Sequence, residues 1–219
     1  IVVDTGSSDR TVEIAREMGA KIFFFPWIND FAAAKNFAID QAKGDWIAFL
    51  DADESFTPED TKKIPEILEY VGDDVDALLI GIADLDENNN ITSGGTMIRF
   101  FVNRPDLRYV GKIHEHLVRK GRSELHLTDA TKQLAFLHTG YQEQEKRDKS
   151  KFERNLNIIL EILKQEPENC DYLGYLGDTY FLDGKNEEAW DAYKKAVAAM
   201  PEKLGVYDQR SSYTYTNLL

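Results

Sequence analysis

The stretch Asp45-Trp46-Ile47-Ala48-Phe49-Leu50-Asp51-Ala52-Asp53-Glu54 constrains this chain more than any other. The apolar run from Trp46 to Leu50 ends abruptly in the acids Asp51, Asp53 and Glu54. It has the length and hydrophobicity of a strand buried on both faces, with Gly44 before it. Such strands belong to parallel sheets, and open α/β sheets bind ligands at the carboxyl edge of their strands. Two aspartates one residue apart repel each other there unless something positive lies between them. A hard divalent cation, Mg²⁺ or Mn²⁺, suits that place because it prefers carboxylate oxygens. Asp is also a good turn and cap residue, so the flanking sequence has to decide.

The segments before this stretch alternate strand and helix. Ile1-Val2-Val3 reads as the tail of a buried strand, and Asp4-Thr5-Gly6-Ser7-Ser8-Asp9 as a polar turn. Ser8 or Asp9 is expected to cap a helix to about Met18, with Val12, Ile14, Ala15 and Met18 inward. Gly19 ends it, and Lys21 to Phe25 is the next strand, stopped by Pro26. Asn29 or Asp30 caps a second helix with Phe31, Ala34, Phe37, Ala38 and Ala42 at helical spacing. Thr57-Pro58 opens a third, which runs to about Val71. The order implies an α/β sheet. Ala77 to Leu85 and Ile91 to Val102 then read as a hairpin joined by Asp86-Glu87-Asn88-Asn89-Asn90. Tyr109 to His116 and the short run Gln133 to Leu137 complete the strand-rich part.

From about Glu143 the pattern turns helical. Leu176-Gly177-Asp178-Thr179-Tyr180, Gly184, Ala189, Tyr193, Ala196 and Pro201 match the tetratricopeptide consensus. Gly177 would let two helices approach closely, with Tyr180 and Tyr193 in the seam. One repeat period of about 34 residues before Pro201 lies Pro167, which ends the helix through Leu156 to Leu163. The segment from Glu202 to Leu219 is expected to begin a third repeat.

Charge and cysteine content narrow the function classes. A net charge of −13 argues against a nucleic-acid-binding face and against adhesion to an anionic membrane. The single cysteine, Cys170, rules out an intrachain disulfide and fits a reducing compartment, so a cytoplasmic location is expected. No apolar run approaches transmembrane length. The chain starts inside a strand, with neither an initiator Met nor a signal-peptide pattern, and an upstream strand is expected to precede it.

Together, the motifs of the first part resemble a family 2 glycosyltransferase of the GT-A fold. The residues that carry the resemblance are Val2-Val3-Asp4-Thr5-Gly6-Ser7-Ser8-Asp9, Asn29-Asp30-Phe31 with Lys35-Asn36, and Gly44-Asp45-Trp46 with Asp51-Ala52-Asp53-Glu54. Ile113-His114-Glu115 and His138-Thr139-Gly140-Tyr141 complete the set. The expected architecture is therefore a GT-A, Rossmann-like mixed sheet with flanking helices over residues 1–141, followed by tetratricopeptide-like helices over 142–219.

The resemblance implies a UDP-sugar donor and an inverting, metal-dependent transfer to an acceptor that is a glycan, a lipid-linked group or a peptide. It places Asp4 on uracil, and Thr5, Ser7, Lys35 and Asp51 on the nucleotide side. It assigns Asp51, Asp53 and His138 to Mn²⁺ or Mg²⁺. Glu115 is the expected base. Either His114 or His116 can carry a positive charge beside it and favour its ionised form, and no other acid in that half of the domain falls in such a motif. The helical tail would bind a protein partner. Two other classes compete: a non-catalytic repeat scaffold with a degenerate transferase domain, and a nucleotidyltransferase, which would need a basic glycine-rich loop where Asp4 to Asp9 stands.

Overall fold

The first elements alternate strand and helix as their apolar runs and caps predict. The computed structural model describes residues 1–139 and 149–201, together with Thr214 and Asn217. In it, β1 (Val2–Asp4) pairs in parallel with β2 (Ile22–Phe24), and α1 (Thr11–Glu17) joins them. Next come α2 (Phe31–Gln41), β3 (Trp46–Ala48), β4 (Glu54–Phe56) and α3 (Pro58–Tyr70). Two helix starts follow their sequence signals. The Asp30 carboxylate accepts from the Ala33 N–H at 2.8 Å, and the Thr57 hydroxyl accepts from the Asp60 N–H at 3.1 Å. Pro58 opens α3, where its missing N–H costs nothing.

α1 departs from expectation. Arg10 holds the N-cap position and makes no side-chain cap bond. The Asp9 carboxylate instead accepts from the Thr11 N–H at 2.9 Å, a local turn that delays the helix start. Ile14 and Met18, expected inward, are 49% and 83% exposed. α1 packs on β2 of the two-stranded sheet.

The larger sheet is mixed. Its order is β3, β6 (Ile91–Val102), β5 (Ala77–Leu85), β10 (Ala135–His138), β4. β5 and β6 form the expected antiparallel hairpin, and β10 runs parallel to β5. β9 (Leu127–Asp129) pairs in parallel with the first part of β5. A separate hairpin joins β7 (Leu107–Val110) to β8 (His116–Arg119). One expectation is overturned here. The run Trp46 to Leu50 is not a doubly buried parallel strand: β3 stops at Ala48, pairs antiparallel with β6, and buries only Ile47. β3 ends the sheet order, so its outer edge has no partner strand among the described residues, and Leu50 is exposed.

Side chains alternate between the two faces of this sheet, as strand geometry demands. Ala77 and Phe101 join Ala32 and Ile39 of α2 on one face. Leu78, Phe100 and Phe136 pack with Ile64 and Leu68 of α3 on the other. Each such large side chain contributes about 1.5–3 kcal/mol on burial. The core thus fixes the level at which β3, β5, β6 and β10 end, and their ends carry the charged residues.

The chain divides into two compact units, Ile1–Arg147 and Asp148–Leu219. The second contains α4 (Lys149–Gln165), α5 (Cys170–Leu182) and α6 (Asn186–Ala199). α5 meets α6 where Gly177 has no side chain, and a Cβ there would fall 2.3 Å from a ring carbon of Tyr193. Tyr193, Ala189 and Ala196 are buried in this seam, and the Tyr193 hydroxyl donates to Asp178 Oδ1 at 2.8 Å. Tyr180, expected beside Tyr193, is only half-buried, with the Lys185 ammonium 6.0 Å from its ring. Gly140 and Tyr141, and most of the expected third repeat, lie outside the described residues.

Candidate active site

The acid motif is a closed turn held by an arginine. The Asp51 N–H donates to Glu54 Oε2, and the Glu54 N–H donates to the Asp51 carbonyl, each at 3.1 Å. Glu54 is almost fully buried and meets Arg99 through both carboxylate oxygens, with Nε to Oε2 at 2.7 Å. Arg99 Nη2 also reaches Asp51 Oδ2 at 3.1 Å, and its guanidinium lies 5.3 Å from the Phe136 ring centroid. β6 brings Arg99 beside β3, where its carbonyl accepts from the Phe49 N–H at 2.8 Å. Sequence reading missed Arg99. Its signal was a charge inside the apolar run Met97-Ile98-Arg99-Phe100-Phe101, which has to be paired if buried.

Lys35 joins this turn to the loop after β7. Its ammonium lies 2.7 Å from Glu115 Oε1 and 3.6 Å from Asp51 Oδ1. It also sits about equally over the rings of Phe49 and Tyr109, at 5.0 and 5.1 Å. Glu115 is therefore paired with Lys35, a cation that sequence spacing did not place beside it. His114 has φ of +53°, in the left-handed region. α2 is fastened to the same segment. Asn36 exchanges two hydrogen bonds with the Tyr109 backbone, each 2.9 Å, and the Phe31 N–H donates to the Lys112 carbonyl at 2.8 Å. The buried Tyr109 hydroxyl has no hydrogen-bond partner among the described residues, and burial pushes its pKa up.

A second cluster forms around His138. Nε2 lies 3.5 Å from Asp53 Oδ2, and Nδ1 lies 2.9 Å from Asp84 Oδ1. The Ser93 hydroxyl donates to the other Asp84 oxygen. Burial pushes the Asp84 carboxyl up, but the hydrogen bonds from Ser93 and His138 outweigh it, so its pKa is lowered. The Thr139 N–H and hydroxyl donate to the Asp53 carbonyl at 3.1 and 3.2 Å, fixing the motif against the end of β10. Among the described residues, no three His, Cys, Asp or Glu side chains gather as a metal site. Asp53 pairs with His138, while Asp51 turns to Arg99 and Lys35.

Asp4 is buried at the end of β1, on the two-stranded sheet beside α2. Its carboxylate accepts from the Gly6 N–H at 3.1 Å and from the Ser7 N–H at 3.2 and 3.3 Å. Hydrogen bonding from Ser7 holds its pKa below the usual value against the opposing effect of burial. Thr5 and Ser7 are exposed on the same turn. The fold thus gathers Lys35, Asp51 and Glu115 in one cluster and Asp53 and His138 in the next, linked through Ala52.

A family model described as Glycosyl transferase family 2 matches residues 1–121. The chain belongs to glycosyl transferase family 2. The SPbeta prophage-derived glycosyltransferase SunS of Bacillus subtilis (strain 168) is 32% identical over 202 residues, 90% of this chain and 46% of that protein. A TPR repeat-containing protein of Synechococcus elongatus is also 32% identical, over 87% of this chain and 48% of that protein. The chain thus spans about half the length of these relatives. The crystal structure of S. aureus TarS has a TM-score of 0.51 at 16% identity, covering 99% of this chain and 47% of that one. That likeness is one of fold, and it agrees with the GT-A class of the sheet and helices.

Proposed function

We propose that this family 2 member transfers a sugar from a UDP-sugar to a nucleophilic atom of an acceptor, with inversion at the anomeric carbon. The observation that carries the reading is the Lys35 ammonium, 2.7 Å from Glu115 and 3.6 Å from Asp51. One cation joins the expected base to a carboxylate of the acid motif. Glu115 takes the proton of the acceptor nucleophile as it forms its bond to the anomeric carbon. The bond from that carbon to the diphosphate breaks on the opposite face, and UDP leaves with the electron pair. Lys35 and Asp51 line the donor side of this site.

Asp53 and His138 are the residues that would hold Mn²⁺ or Mg²⁺. A carboxylate oxygen and an imidazole nitrogen are a suitable donor pair for a first-row divalent ion, and two protein ligands leave positions for diphosphate oxygens. The bound cation would supply Lewis-acid stabilisation of the charge on the leaving group. In this reading the Asp4 carboxylate, held in place by the Gly6 and Ser7 N–H groups of its own loop, also accepts from a uracil N–H. The helical unit is read as tetratricopeptide repeats that bind a protein partner. The Gly177–Tyr193 contact and the name of the Synechococcus relative support this.

The test is Glu115→Gln in the full-length protein. Turnover with a donor and acceptor pair that the wild type uses should fall by about 10²–10⁴, the usual worth of a general base. Calorimetric affinity for UDP with Mn²⁺ should stay unchanged, because the amide is nearly isosteric. Full turnover in the variant would place the base elsewhere.

A further inference from the structure

We propose that Asp84 is a positioning residue that sets the tautomer and direction of His138, with Ser93 holding Asp84 in turn. The proposal rests on the reading of His138 as a ligand for a divalent cation. Its basis is a row of side chains across three adjacent strands. His138 of β10 is the register partner of Asp84 of β5, and Asp84 is the register partner of Ser93 of β6. The three therefore stand at one level of the sheet and meet side by side. Asp84 Oδ1 lies 2.9 Å from His138 Nδ1, and Oδ2 accepts from the Ser93 hydroxyl, so both carboxylate oxygens are engaged.

This arrangement has a chemical consequence. A carboxylate at Nδ1 selects the imidazole tautomer with its proton there, which leaves the lone pair on Nε2. Nε2 faces Asp53 Oδ2 at 3.5 Å. A lone pair and a carboxylate oxygen turned toward each other repel, and a cation between them turns repulsion into two bonds. Carboxylate, histidine and metal in this order are the common way to fix a ligand histidine, and loss of the outer carboxylate usually costs 10–100-fold in metal affinity. Asp84 stands inside the apolar run Ile80-Gly81-Ile82-Ala83-Asp84-Leu85, where packing alone does not call for an acid.

The test uses the full chain with UDP present and Mn²⁺ as the probe, its binding followed by electron paramagnetic resonance. Nitrogen-15 spectra of the metal-free histidine rings report the tautomer. Asp84→Ala should weaken Mn²⁺ about 10–100-fold and take the proton of His138 away from Nδ1. Asp84→Asn keeps an acceptor oxygen and should restore the tautomer and most of the affinity. Ser93→Ala should give a smaller loss, and it carries the test if Asp84→Ala does not fold. Unchanged Mn²⁺ affinity in Asp84→Ala, with affinity lost in His138→Ala, would overturn the role of Asp84 and leave His138 as ligand. Unchanged affinity in His138→Ala would overturn the ligand reading itself. A wild-type ring that carries protons on both nitrogens at neutral pH would overturn the tautomer argument.

Discussion

At the scale of the residue, the site depends on Arg99. It satisfies Glu54 through two hydrogen bonds, holds Asp51 through a third, and rests on the Phe136 ring. Removing one partner of a buried ion pair leaves an uncompensated charge, which typically costs about 3–5 kcal/mol. Arg99→Met should therefore destabilise the first unit by that order in urea unfolding. Adding Glu54→Gln should recover part of the loss, because the stranded charge is gone; equal losses in the single and double variants would sink the ion-pair account. Asp51 and Asp53 stand out in the sequence because they end an apolar run one residue apart, and Lys35 and His138 because the family resemblance marks their positions. Arg99 and Asp84 were not, since their partners lie 45–48 and 54 residues away. An isolated charge in an apolar strand announces a partner without saying which.

At the scale of the element, most local signals held, the α1 cap excepted, and the pairing direction of β3 did not. The Asp30 and Thr57 caps, the β5–β6 hairpin and the helix stops before Pro167 and Pro201 all depend on neighbours in sequence. The apolar run at Trp46 specifies burial, but which strand lies beside it is decided by the β6 register. The α5–α6 seam gives the element-scale prediction. A Cβ at Gly177 would press on the Tyr193 ring at 2.3 Å, whereas one at Gly95, 3.4 Å from Ile82, meets ordinary contact distance. Gly177→Ala should destabilise α5 and α6 by about 1–3 kcal/mol, the usual cost of overpacking. Cys170, the chain's only cysteine, starts α5, so the urea dependence of its thiol labelling reads that helix. Trimming the ring in Gly177→Ala/Tyr193→Leu should restore part of the lost midpoint. A midpoint unmoved by Gly177→Ala would mean that the seam does not depend on the missing side chain.

At the scale of the whole molecule, charge decides how the fold responds to acid. A net charge of −13 repels itself at neutral pH, and acid relieves that repulsion as carboxylates protonate. Local ion pairs act in the opposite sense. Asp106 accepts from Arg119 Nε at 3.0 Å and from Arg104 at 3.1 and 3.2 Å. Arg119 also holds the fully buried Asp76 at 2.7 Å, so the group ties the β7–β8 hairpin to the start of β5. The Arg119 hydrogen bond, aided by Arg104, holds the Asp106 carboxyl below its ordinary value of 3.8. A carboxyl lowered in the folded state contributes stability that is fully present above the unfolded value and is lost as pH falls through the folded one. The measurement is the urea midpoint of wild type and Asp106→Asn as a function of pH. Repulsion relief is nearly common to both chains, so their difference isolates Asp106. Wild type should be the more stable at neutral pH, and the gap should close below pH 3.8 as Asp106 takes up its proton. Curves that stay parallel through that range would show that the Arg119 and Arg104 contacts do not stabilise the ionised carboxylate, and the hairpin would then depend on packing of Leu107, Tyr109 and Leu117 alone.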